Sequence, residues 1–74
     1  MFCTNHLYRF VDVGTHVIVN TRDEHGMPVS SHTGTVVGHL DLPEAFGKSL
    51  DIKTDDGRSI VAEGGNHNQE VYIG

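Results

Sequence analysis

The chain has 74 residues, enough for one domain with a small core, because a chain of this length buries only about 60% of its unfolded surface. Hydrophobic residues make up 36% of it, with nine glycines and no tryptophan, which is typical of short strands and turns and predicts an all-β fold. The formal charge of -5 comes without a basic cluster and therefore argues against general nucleic-acid binding.

The sequence also indicates the cellular compartment in which the protein is expected to reside. The single cysteine, Cys3, has no partner for an internal disulfide, which fits a reducing environment. The sequence starts without the basic and apolar regions of a signal peptide, and no run approaches the roughly 20 apolar residues of a spanning helix. We therefore expect a cytoplasmic protein without membrane association, cofactor or bound metal.

The first strand is predicted at residues 16–20, where Val17 and Val19 share one face by the period of two. Residues 1–10 show no clean period. They predict an N-terminal segment that adds an edge strand or lies on the domain, and the domain proper is expected to span residues 11–74.

Residues 21–32 are polar, with Gly26 and Pro28 among them, and predict a long solvated loop. A loop of this length in so small a domain is more often functional than not. The candidate binding residues in this loop are Arg22, Asp23, Glu24 and His25.

The second strand is predicted at residues 33–40. Its alternation places Val36 and Leu40 inward and His39 outward, and Gly38 allows a bend or a bulge.

A short helical turn is predicted after this strand, with Pro43 in its first turn and Gly47 as its C-cap. Leu42 and Phe46, four residues apart, would then share one face. Two interpretations stay open: these side chains close one end of the core, or they form an exposed anchor for a partner.

The third strand, residues 49–54, alternates with Leu50 and Ile52 on one face. The Asp-Asp-Gly-Arg sequence at 55–58 predicts a hairpin with a fourth strand at 59–63.

The last strand is predicted at residues 70–73, with Val71 and Ile73 buried and Tyr72 outward. Together with Tyr8 and Phe10, Tyr72 is a candidate for an exposed aromatic patch.

Five short strands around the segments Gly-Thr-His-Val-Ile-Val (14–19) and Gly-Thr-Val-Val-Gly (34–38) resemble an SH3-like small barrel. Within that class the pattern is closest to a KOW-type or Tudor-type module, which pairs a Gly-x-x-Val-x-Val strand with a Gly-x-Val strand. The resemblance implies a single five-stranded SH3-like barrel with a short helical turn between the second and third strands.

SH3-like barrels commonly bind peptides, so the resemblance implies a non-enzymatic protein-binding module. Small acidic barrels of this kind are expected to be adaptors or inhibitors of bacterial or phage origin, with a partner that presents a basic surface. The predicted binding residues are Arg22, Asp23, Glu24, His25, Leu42, Phe46 and Tyr72. One alternative, by KOW analogy, is RNA or ribosome binding.

A second alternative is an oligomeric metal-binding or small enzymatic barrel. The predicted strand order places His16 beside His39, and His39 beside Asp51, all on the outer face. Two imidazoles and a carboxylate are a ligand set that Zn²⁺ accepts. Because surface strands tolerate these residue types freely, we favour the interpretation that they are solvated, and no metal site is predicted.

Overall fold

A computed structural model describes residues 2–3, 8, 10–41, 48–64 and 66–73 of the chain. Its strands are β1 (Phe2–Cys3), β2 (His16–Arg22), β3 (Pro28–Asp41), β4 (Lys48–Thr54), β5 (Ser59–Ala62) and β6 (Gln69–Ile73). They form one antiparallel sheet in the spatial order β1-β6-β2-β3-β4-β5. The described residues contain no α-helix, so the prediction of an all-β fold is confirmed.

The finer architecture goes beyond what these strands show. The sheet has two edges, β1 and β5, so its closure into an SH3-like barrel stays a prediction. The predicted helical turn at 42–47 lies outside the described residues. No helix in the described part of the chain is long and apolar enough to cross a membrane.

The core lies on one face of the sheet, where strand alternation collects the apolar side chains. Each fully buried aliphatic side chain contributes about 1.5–3 kcal/mol to folding by leaving water. Ile60 and Ile73, partly buried, pack against it. The buried hydrophobic residues are Tyr8, Val11, Val17, Val19, Val36, Leu50, Ile52, Ala62 and Val71.

Tyr8 belongs to this core and is fully buried. A short turn, in which the Val11 amide donates to the Tyr8 carbonyl at 3.0 Å, places both side chains against the sheet. The predicted aromatic patch that includes Tyr8 is therefore wrong, because an aromatic ring at the core cannot reach a ligand. Phe10 remains exposed.

The predicted loop at residues 21–32 is a hairpin. β2 continues to Arg22 and β3 begins at Pro28, with Asn20 opposite Ser31 and Thr21 opposite Ser30. This correction has a physical reason. The two strands extend beyond the core as a two-stranded ribbon, and neither face of this ribbon requires apolar side chains. A polar composition therefore does not distinguish such a ribbon from a loop.

The turn of this hairpin is a three-residue loop that ends in a left-handed glycine. The Asp23 amide donates to the Met27 carbonyl at 2.9 Å, and the Gly26 amide donates to the Asp23 carbonyl at 3.0 Å. Gly26 has φ +79°, a conformation that glycine adopts without strain. The Asp23 carboxylate also accepts from the amides of His25 and Met27, both at 2.9 Å.

The predicted hairpin between β4 and β5 is confirmed and uses the same turn. The Thr54 amide donates to the Arg58 carbonyl at 2.7 Å, and the Gly57 amide donates to the Thr54 carbonyl at 2.9 Å, with Gly57 at φ +90°. The Thr54 hydroxyl accepts from the Arg58 amide at 2.9 Å, as the Asp23 carboxylate accepts from Met27. Both turns match the common three-residue hairpin loop.

β3 contains a bulge between Val36 and Gly38, as the glycine predicted. The bulge adds one residue and reverses the alternation beyond it, so that His39 pairs with Leu50, whose side chain is fully buried. The register thus puts His39 on the face of Leu50, yet His39 stays exposed and Leu40 is half-buried, as the alternation predicted. The His39 Nε2 atom lies 2.6 Å from the Val11 carbonyl oxygen and donates to it.

Candidate functional site

The three candidate metal ligands do not meet. His16 pairs with Thr35, Asp51 with Gly38 and His39 with Leu50. The predicted row of His16, His39 and Asp51 is therefore wrong in its register. Within the described ranges, no group of three histidine, cysteine or acidic side chains is placed to hold a metal ion.

Two of the predicted binding residues, Arg22 and Tyr72, meet at a third residue that the sequence did not single out. The Arg22 Nε atom donates to Glu70 Oε1, and the Tyr72 hydroxyl donates to Glu70 Oε2 at 2.9 Å. Asn20 pairs with Glu70 and Ile18 with Tyr72, which places both β6 residues on the face opposite the core. Glu70 therefore joins β2 to β6 on the outer face of the sheet, and the predicted outward direction of Tyr72 is confirmed.

The contact of Glu70 with Arg22 and Tyr72 determines the protonation states of Glu70 and Tyr72 at neutral pH. The hydrogen bond from Tyr72, and then the ion pair with Arg22, hold the pKa of Glu70 below its ordinary value of 4.5. The same hydrogen bond raises the pKa of Tyr72. At neutral pH Glu70 is therefore charged and Tyr72 keeps its proton, which gives this surface a fixed hydrogen-bond pattern.

A pocket of about 390 Å³ lies on the β2–β3 hairpin. Met27, with 61% of its surface exposed, and Val29, with 64%, stand at this hairpin. We call the surface formed by Arg22, Met27, Val29, Glu70 and Tyr72, together with this pocket, the ribbon surface. The pocket is lined by Asn20, Thr21, Arg22, Pro28, Val29, Ser30 and Ser31.

The predicted binding residues at the tip of the β2–β3 hairpin differ in what their side chains contact. The Asp23 carboxylate is occupied by two backbone amides of the turn. Glu24 and His25 project into solvent, with His25 Nε2 3.6 Å from Glu24 Oε1. Glu24 and His25 are thus accessible to a partner, whereas Asp23 shapes the loop that presents them.

A second cluster joins His16, Thr33 and Asp55. The Thr33 hydroxyl donates to Asp55 Oδ2 at 2.9 Å, and His16 Nε2 lies 3.4 Å from the same oxygen. The Thr33 hydrogen bond, followed by the contact with His16, lowers the pKa of Asp55. The hydroxyl bonds to the carboxylate instead of the imidazole, so the order nucleophile, histidine, acid that acyl-transfer triads require is not formed.

Leu42 and Phe46, the remaining predicted binding residues, lie outside the described residues. The apolar residues that the sequence interpretation missed, Met27 and Val29, flank Pro28 within a polar stretch. They could have been identified because two apolar side chains lie close together in a predicted loop, where burial in a core does not account for them.

No family model matches the chain, and no match is found among the curated proteins or the solved structures.

Proposed function

We propose that this chain is a non-enzymatic module that binds another protein through the ribbon surface. The observation that carries the proposal is the pair of exposed apolar side chains, Met27 and Val29. Val29 also lines the pocket, together with Pro28, Arg22 and four uncharged polar residues. Apolar anchors surrounded by polar groups are typical of the centre of a protein interface. The fixed Arg22–Glu70–Tyr72 contact supplies oriented polar groups next to them.

We further propose that the fold is an SH3-like barrel. Gln69 on β6 supports this, since its Nε2 donates to the Val61 carbonyl at 3.2 Å and its Oε1 accepts from the Glu63 amide at 2.9 Å. These bonds join β6, near one edge of the sheet, to the edge strand β5 and the residue that follows it. Closing the sheet into a barrel requires such an approach of its two sides.

A protein partner with a basic surface has more support than RNA. The chain carries a formal charge of -5. Arg22 pairs with Glu70 and Arg58 with Asp56, so these two cations are partly neutralised already. Neutralising a phosphate backbone requires several available cations along one stripe. By resemblance to other small acidic barrels, the setting we propose is a cytoplasmic adaptor or inhibitor of bacterial or phage origin.

The test is an affinity pull-down from the source cell, quantified by mass spectrometry. The double variant Met27→Ser with Val29→Ser removes both apolar anchors and is expected to reduce recovery of the partner about tenfold, the effect of losing an interface hot spot. The matched control is Val13→Ser with Val37→Ser, which changes two valines that are 60% and 47% exposed elsewhere. Equal recovery with both double variants, or no partner with the wild-type chain, would contradict the proposal.

A further inference from the structure

The pocket on the β2–β3 hairpin combines an apolar wall with uncharged polar groups. Pro28 and Val29 supply the apolar side chains of its lining, and 64% of the Val29 surface is exposed. The volume of about 390 Å³ lies at the small end of the range for ligand sites in proteins, roughly 300–1,000 Å³. A space of this size accommodates one large side chain of a partner rather than a folded segment.

The polar residues of the lining have hydrogen-bonding capacity that the described part of the chain does not use. Among the described residues, no side-chain hydrogen bond involves the uncharged polar members of the lining, which are Asn20, Thr21, Ser30 and Ser31. Their hydroxyl and amide groups both donate and accept. An occupant without polar atoms would displace water from these groups and return no hydrogen bond, which costs free energy. The lining therefore favours an occupant with a hydrogen-bonding group.

Arg22 determines the charge that the pocket accepts. Its Nε atom donates to Glu70, and its Nη1 atom donates to the Gly26 carbonyl at 3.4 Å. The guanidinium charge disfavours a lysine or arginine in the pocket itself, and the Glu70 carboxylate, which already pairs with Arg22, disfavours an acidic side chain. The guanidinium group carries more N–H donors than these contacts use. An uncharged occupant that accepts a hydrogen bond therefore suits the pocket best.

We propose that the pocket receives a tyrosine side chain of the protein partner. The proposal rests on the proposed function and names the group that this surface recognises. The tyrosine ring is apolar and suits the wall formed by Pro28 and Val29, whereas its hydroxyl group accepts from a guanidinium and donates to a hydroxyl or amide oxygen. Tyrosine is also among the residue types enriched at interface hot spots.

Other side chains match only part of the lining. Phenylalanine and leucine have no hydroxyl group and would leave the polar groups of the pocket without a partner. Serine and asparagine have no ring to cover the apolar wall. The tryptophan indole only donates, so it cannot accept from Arg22.

The probe is N-acetyl-tyrosinamide, titrated into the ¹⁵N-labelled chain and followed by the chemical shifts of the backbone amides. A compound of this size is expected to bind with a dissociation constant of about 1 mM. The largest shift changes are expected at residues 20–22 and 29–31. The absence of a saturable change, or larger changes at Val13 and Val37 than at these residues, would contradict the proposal.

Two related compounds test what the pocket recognises. N-acetyl-phenylalaninamide lacks only the hydroxyl group and is expected to bind about fivefold more weakly, the effect of losing one hydrogen bond. The O-phosphorylated tyrosine compound is anionic and is expected to bind more weakly than the unmodified one, because Glu70 already neutralises Arg22. Equal affinity for the tyrosine and phenylalanine compounds would overturn the proposal. Tighter binding of the phosphorylated compound would show that Arg22 selects an anion and would overturn it as well.

Variants of the lining test the same preference from the side of the chain. The double variants Ser30→Ala with Ser31→Ala and Asn20→Ala with Thr21→Val each remove the uncharged polar groups of one strand. At least one is expected to lose the preference for the tyrosine compound while its affinity for the phenylalanine compound stays unchanged, whereas a merely structural change would weaken both. The control Ser59→Ala, at an exposed serine on β5, is expected to keep the fivefold preference.

Persistence of the preference in both double variants would contradict the proposal. If the double variants do not fold, the comparison of the three compounds on the wild-type chain still decides the question.

The outcomes also separate this proposal from the proposed function. If N-acetyl-tyrosinamide does not bind, the tyrosine pocket is removed, whereas the pull-down with the Met27 and Val29 variants still tests protein binding. If it binds, adding it to the pull-down at about ten times its dissociation constant is expected to reduce recovery of the partner about tenfold by mass action. Unchanged recovery would show that the pocket takes a free phenolic ligand and would overturn the inference of a partner side chain.

Discussion

Gly34 is the residue at which β3 approaches its neighbour most closely. A Cβ atom built there would lie 2.5 Å from the Lys53 carbonyl oxygen and 2.9 Å from Ile52 Cγ2. Backbone atoms of a paired strand cannot move aside individually, so a side chain at this position must push β4 away. The glycine is thus required for contact between strands rather than for a special backbone angle.

The variant Gly34→Ala is therefore expected to lower the free energy of unfolding by about 2–3 kcal/mol, the cost of forcing extra volume into a packed site. Urea unfolding followed by circular dichroism measures it. The matched control is Gly38→Ala, also on β3, where the nearest atom to a new Cβ is Asp51 Cβ at 3.9 Å. Similar decreases in the free energy of unfolding for the two variants would show that the close approach of Gly34 to β4 does not cause the destabilisation.

The two hairpins show how much of an element local sequence can specify. Asp23-x-x-Gly26 and Thr54-x-x-Gly57 make the same turn, with an oxygen-bearing side chain first and a left-handed glycine fourth. The second was predicted because alternating apolar residues flank it. The first was missed because its strands carry polar residues on both faces, although the spacing of its turn residues was present in the sequence.

For the first hairpin, Asp23→Ala removes two hydrogen bonds to backbone amides and is expected to lower the free energy of unfolding by about 1 kcal/mol. Amide exchange should accelerate in residues 29–31 more than in β4. The control is Glu24→Ala in the same turn, whose exposed side chain should change stability by less than about 0.5 kcal/mol. An equal effect of both substitutions would mean that the Asp23 carboxylate does not hold the turn.

At the scale of the whole molecule, three carboxylates link folding to pH. Hydrogen bonds from Thr33 to Asp55, from Thr54 to Asp56 and from Tyr72 to Glu70 are the main causes that lower the pKa of each carboxylate. A carboxyl group whose folded pKa is depressed stabilises the folded state above its unfolded pKa. That stability is lost as pH falls through the folded pKa, so the chain is expected to be least stable in acid.

Glu70→Gln tests this linkage. The variant is expected to be less stable than the wild type at neutral pH, and the difference should shrink as pH falls below the ordinary glutamate value of 4.5. Tyr72→Phe removes the largest cause of the shift and should weaken the pH dependence in the same direction. Urea unfolding across this pH range measures both, and a difference between wild type and Glu70→Gln that stays constant with pH would contradict the assignment.

The sequence by itself determined those features of the fold that depend on neighbouring residues. The alternation of Leu50 with Ile52 predicted a strand with one buried face, and Gly38 predicted the bulge in β3. The outward direction of Tyr72 followed from its buried neighbours. Each of these depends on backbone geometry within a few residues, which local residue types report directly.

Only the tertiary structure decided which residues meet across strands. One extra residue in the bulge shifted the pairing of β3 with β4, so that His39 lies opposite Leu50 rather than beside Asp51 as the predicted metal row required. The meeting of Arg22 and Tyr72 at Glu70 also depends on strand register. Turn residues fix the register within a hairpin, whereas the register between segments far apart in the sequence, such as β2 and β6, depends on packing and hydrogen bonding in the folded chain.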